Sequence, residues 1–172
     1  MGEGRGATFT VQFPLEMLNQ FEIDGEVIAA RDSNETPPAW RSINLGGLKI
    51  LVVDDEADSR ELLKRVLEDS AAEVVTAASA RQGLVAMENH AFDILISDIG
   101  MPEVDGYEFL RRARALSSVR VIPAVALTAF ARSEDKTNAL LAGFVAHVTK
   151  PADPAELLAT IAAVADRAGT VG

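Results

Sequence analysis

The stretch Lys49-Ile50-Leu51-Val52-Val53-Asp54-Asp55 decides the fold of this chain. Its apolar part has the length of a strand, and such a continuous run predicts a strand buried on both faces, as in a parallel sheet. The two acids that follow would then lie at the carboxyl edge of the sheet, where open α/β folds bind their ligands. Because adjacent carboxylates repel each other, Asp54 and Asp55 require a cation, a proton or a basic partner nearby.

Strand-like and helix-like segments alternate over residues 46–169. Apolar residues at helical spacing predict a helix over residues 58–70 and four more helices of the same amphipathic kind. Short apolar or β-branched runs predict four further strands, over residues 73–77, 93–98, 121–127 and 145–149. This alternation predicts an α/β fold in which helices cover both faces of a parallel sheet through right-handed crossovers.

Three helix ends carry capping residues. The segment Ser79-Ala80-Arg81-Gln82 has the pattern of a capping box, in which serine and glutamine side chains each satisfy a backbone N–H of the first turn. Gly143 suits the left-handed position that closes a helix over residues 133–142. Asp153 followed by Pro154 predicts the start of the last helix.

The polar residues that follow the apolar runs form a chemically coherent set: Asp54, Asp55, Asp98, Thr128 and Lys150. Since the carboxyl ends of parallel strands meet at one edge of the sheet, we expect these side chains to lie together. Three carboxylates suit a hard cation such as Mg²⁺. A lysine and a hydroxyl can each donate to a phosphoryl oxygen, and a carboxylate is a competent nucleophile for phosphoryl transfer.

From Leu48 to Ala168 the chain resembles the receiver domain of two-component response regulators, on the strength of those five positions in their order and approximate spacing. The resemblance implies a flavodoxin-like (βα)5 doubly wound parallel sheet with strand order 2-1-3-4-5. It also implies that Asp98 accepts a phosphoryl group from a phosphohistidine with Mg²⁺ bound. Asp55 and Asp98 would then bind the metal directly with the backbone carbonyl of Gly100, and Asp54 mainly through a metal-bound water.

The resemblance also assigns a switch. Thr128 would move toward the phosphoryl group, Lys150 would pair with it, and the Lys150–Pro151 peptide would be cis. The aromatic switch residue that the family usually carries three places before the lysine is His147 here. Either the imidazole turns into the space that Thr128 leaves, or His147 merely lies on the surface of the last strand.

Residues 1–45 lie outside the alternating pattern. In residues 1–15, Phe9, Val11 and Phe13 would share one face of a strand that resembles the last strand of a histidine-kinase ATP-binding domain. We interpret this segment as a remnant of such a domain, an ordinary glycine-rich strand being the alternative, and we expect no ATP binding because the nucleotide-binding boxes are absent. Residues 16–45 predict a linker, 46–169 the receiver domain, and 170–172 a tail.

The composition of the 172 residues argues against several classes of protein. A net charge of −10 disfavours nucleic-acid binding, and the lack of cysteine excludes disulfides and thiolate metal sites. No apolar run reaches the roughly 18 residues of a membrane span, and no signal peptide is recognisable. We therefore expect a soluble, cytoplasmic protein without nucleic-acid or membrane partners, and no DNA-binding output domain in this chain.

The leading hypothesis is a phosphorelay receiver, the C-terminal receiver of a hybrid histidine kinase or a chain derived from one. Its partner would be a histidine kinase or a histidine phosphotransfer protein, and phosphorylation would switch the face formed by residues 128–150. We expect self-phosphorylation and self-dephosphorylation rather than turnover, although a longer parent could be a histidine kinase. By resemblance, helix four, strand five and helix five could form a weak homodimer.

Two alternatives remain. The first is an unphosphorylated pseudo-receiver that serves as a protein-binding scaffold, against which the intact acidic set argues. The second is a phosphatase that works through an aspartyl-phosphate. Such enzymes usually carry a second acid two residues after the nucleophile, where this chain has Gly100.

Overall fold

The structure, a computed structural model, describes residues 42–116, 122–129 and 133–169. The N-terminal strand and the remnant predicted over residues 1–15 lie outside the described residues, as do the predicted tail, residues 170–172, and most of the predicted linker. The elements alternate along the chain as follows: β1 (Lys49–Val53), α1 (Ala57–Asp69), β2 (Glu73–Ala77), α2 (Ala80–Asn89), β3 (Ile94–Asp98), α3 (Gly106–Ala115), β4 (Ala124–Thr128), α4 (Ser133–Ala142), β5 (Ala146–Thr149) and α5 (Pro154–Ala168).

The five strands form one parallel sheet in the order β2-β1-β3-β4-β5. This order confirms the flavodoxin-like fold. The register aligns Val53 of β1 with Ser97 of β3, and Thr128 of β4 with Thr149 of β5. Asp54, Asp98, Thr128 and Lys150 therefore reach the carboxyl edge of the sheet at nearly the same level.

The sheet separates two apolar cores. Helices α1 and α5 cover one face, and α2, α3 and α4 cover the other. The strands β1, β3 and β4 are fully buried apart from a half-buried Lys49, which explains why their sequences are continuous apolar runs instead of alternating ones. Leu45, the last residue of the predicted linker, is also buried, and its N–H donates to the carbonyl of Ser70 over 2.7 Å.

Two local predictions need correction. The strand predicted over residues 121–127 begins at Ala124, because Pro123 has no N–H for the ladder, although its carbonyl still accepts from Leu95 N. In the predicted capping box, Ser79 Oγ accepts from Gln82 N over 3.3 Å as expected. However, the Gln82 side chain accepts from the N–H of Ala78, one residue earlier than the motif requires.

The other two helix ends are confirmed. Gly143 has a φ of +100° after the last residue of α4, in the range that a residue with a Cβ adopts only with strain. Asp153 accepts a hydrogen bond from Glu156 N over 3.0 Å, and Pro154 is the first residue of α5. In the described part of the chain, no helix combines the length and the apolar character needed to cross a membrane.

Candidate functional site

A lysine and two aspartates form the centre of the site at the carboxyl edge of the sheet. Lys150 Nζ lies 2.8 Å from Asp54 Oδ2 and 2.8 Å from Asp98 Oδ2. Asp54 follows β1, Asp98 ends β3 and Lys150 follows β5, so three separate strands contribute one charged group each. Their charges sum to −1 before Asp55 is added.

Asp54 is completely buried and has three hydrogen-bond donors. Its Oδ1 accepts from the N–H of Glu56 over 2.8 Å, and its Oδ2 accepts from Ser59 Oγ over 2.7 Å as well as from Lys150. The backbone carbonyl of Asp54 accepts from Arg60 Nη1 over 2.7 Å. A buried carboxylate is tolerated only when it is paired and hydrogen-bonded in this way.

Asp98 is 6% exposed and has two donors. Its Oδ1 accepts from Gly100 N over 2.9 Å, and its Oδ2 accepts from Lys150. The first residue of α3, Gly106, packs so closely that a Cβ there would collide with the Asp98 carbonyl oxygen. Glycine at this position therefore allows α3 to start directly behind the acid.

Asp55 is exposed, and within the described residues it has no hydrogen bond or ion pair. One ligand oxygen each from Asp54, Asp55 and Asp98 can be chosen so that all three lie within 4.8 Å of one another. A carboxylate offers about four lone-pair positions. With three donors on Asp54, two on Asp98 and none on Asp55, the accepting capacity left for a cation is greatest on Asp55 and smallest on Asp54.

The ammonium group of Lys150 has a raised pKa. Burial lowers the pKa of this ammonium, but its hydrogen bonds and charge interactions with Asp54 and Asp98 outweigh burial, so the pKa is raised above its usual value. The Lys150–Pro151 peptide is cis. Glu56 Oε2 lies 3.9 Å from the same ammonium, on an exposed side chain.

Thr128 and His147 lie on the other side of the site. Thr128 is 6% exposed, and its carbonyl accepts from Lys150 N over 2.8 Å. Its strand partner is Thr149, and His147 pairs with Ala126. Because side chains alternate along a strand, Thr128 and His147 share the face of the sheet covered by α2, α3 and α4. His147 is half-buried.

A cavity of about 740 Å³ opens above these groups. Asp98, Thr128 and Lys150 line it together, and so does Gly100. The rest of the lining is largely apolar and comes from α1, α3 and the segment after Lys150, with these residues among others: Leu62, Leu63, Ile99, Tyr107, Pro151 and Ala152. The floor of the cavity is therefore charged, and its apolar walls are interrupted by four polar residues: Glu56, Asp58, Ser59 and Asn138.

Three contacts on Asp54 did not follow from the sequence pattern, those from Glu56, Ser59 and Arg60. All three donors belong to the first turn of α1 or the residue before it, so the only signal was that a helix starts directly after the acids. Asp58 and Glu103 are exposed. Asp105 is also exposed but caps α3, accepting from Glu108 N over 2.8 Å.

Comparison with known sequences adds independent information. A family model described as the response regulator receiver domain matches residues 50–162. The chain is 46% identical over 114 residues to an uncharacterized 14.6 kDa protein in the sodA1 3′ region of Leptolyngbya boryana, covering 66% of this chain and 87% of that protein. It is 32% identical over 148 residues to the sensor protein EvgS of Escherichia coli O157:H7, covering 86% of this chain and 11% of that protein.

The chain spans about half or less of several further curated relatives. Among solved structures, it is similar to the chemotaxis protein CheY4 of Vibrio cholerae, with a TM-score of 0.64 and 34% sequence identity. That match covers 68% of this chain and 98% of the CheY4 chain. Fold and sequence similarity therefore agree on the same family.

Proposed function

The chain belongs to the response regulator receiver domain family of two-component signalling, and from that premise we propose that Asp98 is its phosphoryl acceptor. The observation that carries the proposal is the placement of Asp98 beside the Lys150 ammonium, at the floor of an open cavity. In the proposed step, the bond between phosphorus and the donor's histidine nitrogen breaks. A bond forms between phosphorus and one carboxylate oxygen of Asp98.

The surroundings of Asp98 suit that step. Lys150 is held by two carboxylates at rest, and once Asp98 becomes an acyl phosphate, the ammonium can pair with a phosphoryl oxygen instead. The Thr128 hydroxyl would donate to another phosphoryl oxygen. Fixed donors aimed at developing negative charge are the main source of acceleration in phosphoryl transfer.

The acidic residues fit a divalent cation, and Mg²⁺ is the ion that receiver domains generally use. Asp55 and Asp98 retain the most accepting capacity and would hold the ion directly, together with the Gly100 carbonyl. Asp54, whose oxygens already accept three hydrogen bonds, would act through a bound water. When bound, the ion neutralises charge on the acids and on the phosphoryl oxygens.

We propose that the side chain of His147 changes position when Asp98 is phosphorylated. When Thr128 moves toward the phosphoryl group, the imidazole would turn into the space released on the shared face of the sheet. His147→Ala should then keep Asp98 phosphorylation but lose the difference in partner affinity between the two states. Equal partner discrimination in wild type and variant, measured by titration with and without beryllofluoride, would count against this role.

The partner is proposed to be a histidine kinase or a histidine phosphotransfer protein. The match to EvgS is longer than the match to the family model, which supports derivation from a hybrid kinase. Exposed apolar side chains on α4 and directly before β5, namely Leu140, Leu141 and Val145, support a weak homodimer. Sedimentation with beryllofluoride and Mg²⁺ tests the dimer, and phosphotransfer to and from a phosphorylated partner tests the relay.

The decisive experiment is incubation with a small phosphodonor, followed by intact mass. We expect wild type to gain one phosphoryl group in the presence of Mg²⁺, to gain little in EDTA, and to lose the group with time by its own hydrolysis. Asp98→Ala should gain none, whereas the matched control Asp69→Ala, an exposed acid at the other end of α1, should behave as wild type. A wild type that never gains the group would indicate a pseudo-receiver.

A further inference from the structure

Ser59 is an uncharged side chain that donates to the acidic cluster. It lies in the first turn of α1, half-buried, and its Oγ donates to Asp54 Oδ2 over 2.7 Å. The same oxygen accepts from Lys150 over 2.8 Å. The hydroxyl and the ammonium therefore approach a single carboxylate oxygen from two different elements of the fold.

The Ser59 hydroxyl does not act as a helix cap. The N-cap residue of α1 is Glu56, which makes no side-chain capping bond. A serine at the start of a helix ordinarily stabilises the helix, because its side-chain oxygen accepts a hydrogen bond from a free backbone N–H. Here the hydroxyl instead satisfies a buried carboxylate, so its role is directed at Asp54 and not at the helix.

Without Ser59, the position of the Asp54 carboxylate would depend on the Glu56 N–H and on Lys150. Lys150, however, is shared with Asp98 and would be drawn toward a phosphoryl group in the proposed reaction. A donor that stays on Asp54 in both states therefore fixes the carboxylate while the lysine changes partner. The lone pair of Asp54 that accepts no hydrogen bond would then stay oriented toward a metal-bound water.

From these contacts we infer that Ser59 is a positioning residue for the metal site, acting through Asp54. The inference rests on the proposed function, because it concerns the Mg²⁺ that Asp55 and Asp98 would bind. Groups that orient ligands from outside the metal's own coordination shell typically contribute 10- to 100-fold to metal affinity. Since Asp54 is itself an indirect ligand, the effect of Ser59 belongs at the lower end of that range.

The test is calorimetric titration of the metal-free full chain with Mg²⁺. Ser59→Ala should weaken Mg²⁺ affinity roughly tenfold, and Ser59→Thr, which keeps the hydroxyl, should retain most of it. The matched control is Ser70→Ala, the same exchange at the opposite end of α1 from the acids, and it should leave Mg²⁺ affinity unchanged. Circular dichroism establishes that each variant is folded before titration.

The outcomes separate the two proposals. If wild type binds Mg²⁺ and Ser59→Ala binds it equally well, the positioning role is overturned and the proposed metal site stands. If Ser59→Thr loses as much affinity as Ser59→Ala, the hydroxyl is not the active group and the inference is again overturned. If wild type binds no Mg²⁺, the metal site fails, and the role of Ser59 fails with it.

Discussion

The two sides of the site are built differently. On the side of β1 and α1, a fully buried carboxylate is fixed by Glu56 N, Ser59 Oγ and Lys150 Nζ, with every contact between 2.7 and 2.8 Å. On the side of α4 and β5, the described α4 side chains include one buried residue, Ala139, whereas Leu140 and Leu141 are 59% and 81% exposed. β5 has only four residues, of which Val148 is fully buried.

This difference indicates where a change at Asp98 can be expressed. Elements that bury little apolar surface open and shift at low free-energy cost, whereas a buried network of charges resists displacement. On the face of the sheet that α2, α3 and α4 cover, β4 also contributes only the small side chains Ala124 and Ala126 to the core. We therefore expect the β1–α1 side to hold the acceptor and the α4–β5 side to move, and three measurements test this expectation.

The largest effect is expected from Lys150→Met. Removing one partner of a buried ion pair typically costs 3–5 kcal/mol, and the lower end, about 3 kcal/mol, applies here because the lysine side chain keeps 18% exposure. The rate of Asp98 phosphorylation should also fall about 100-fold with the loss of one fixed donor. Urea unfolding in EDTA and intact-mass kinetics measure the two effects.

Lys49→Met is the matched control for that experiment. Lys49 pairs with Glu73 over 2.7 Å at the opposite edge of the sheet, with side chains 30% and 67% exposed. Exposed pairs contribute about 0–1 kcal/mol, so this variant should unfold almost as wild type does. Equal losses of stability in the two variants would show that the buried cluster contributes no more to the free energy of unfolding than a surface ion pair does.

A pair of leucine truncations compares the two sides directly. Leu63 of α1 is 1% exposed and Leu141 of α4 is 81% exposed. Leu63→Ala should cost about 3 kcal/mol through lost burial and the cavity it leaves, whereas Leu141→Ala should change stability by about 0.5 kcal/mol or less. Chemical denaturation of both variants gives the two values, and a large loss from Leu141→Ala would mean that α4 is covered in solution.

The smallest effect concerns pH. Because the pKa of Lys150 is raised, the folded protein holds this proton more tightly than the unfolded chain does. The stabilisation is fully present below the ordinary lysine pKa of about 10.4 and is lost as pH rises through the higher folded-state value. The difference in free energy of unfolding between wild type and Lys150→Met should therefore shrink as the pH rises above the ordinary lysine pKa. A difference that stays constant over this range would contradict the ion-pair explanation.

Much of this architecture is encoded locally. The apolar runs of β1 and β3 indicate strands buried on both faces, and their alternation with amphipathic segments leaves a parallel α/β sheet as the consistent arrangement. Within that arrangement, Asp54, Asp98 and Lys150 must share an edge, because each follows or ends a strand that points the same way. Local patterns were less accurate at the start of β4, where Pro123 delays the ladder, and at Ala78, which takes the bond expected of Ser79.

Periodicity and chain order, which are local properties, were enough to predict the strands, their parallel sense and the edge at which the acids and the lysine meet. The hydrogen bonds of Asp54 follow from the three-dimensional arrangement instead, because the donors Ser59 and Lys150 reach one carboxylate oxygen from elements that are far apart in the chain. The same arrangement also leaves leucines of α4 exposed. Hydrogen-bond partners and burial depend on distances between elements, which a linear pattern does not contain.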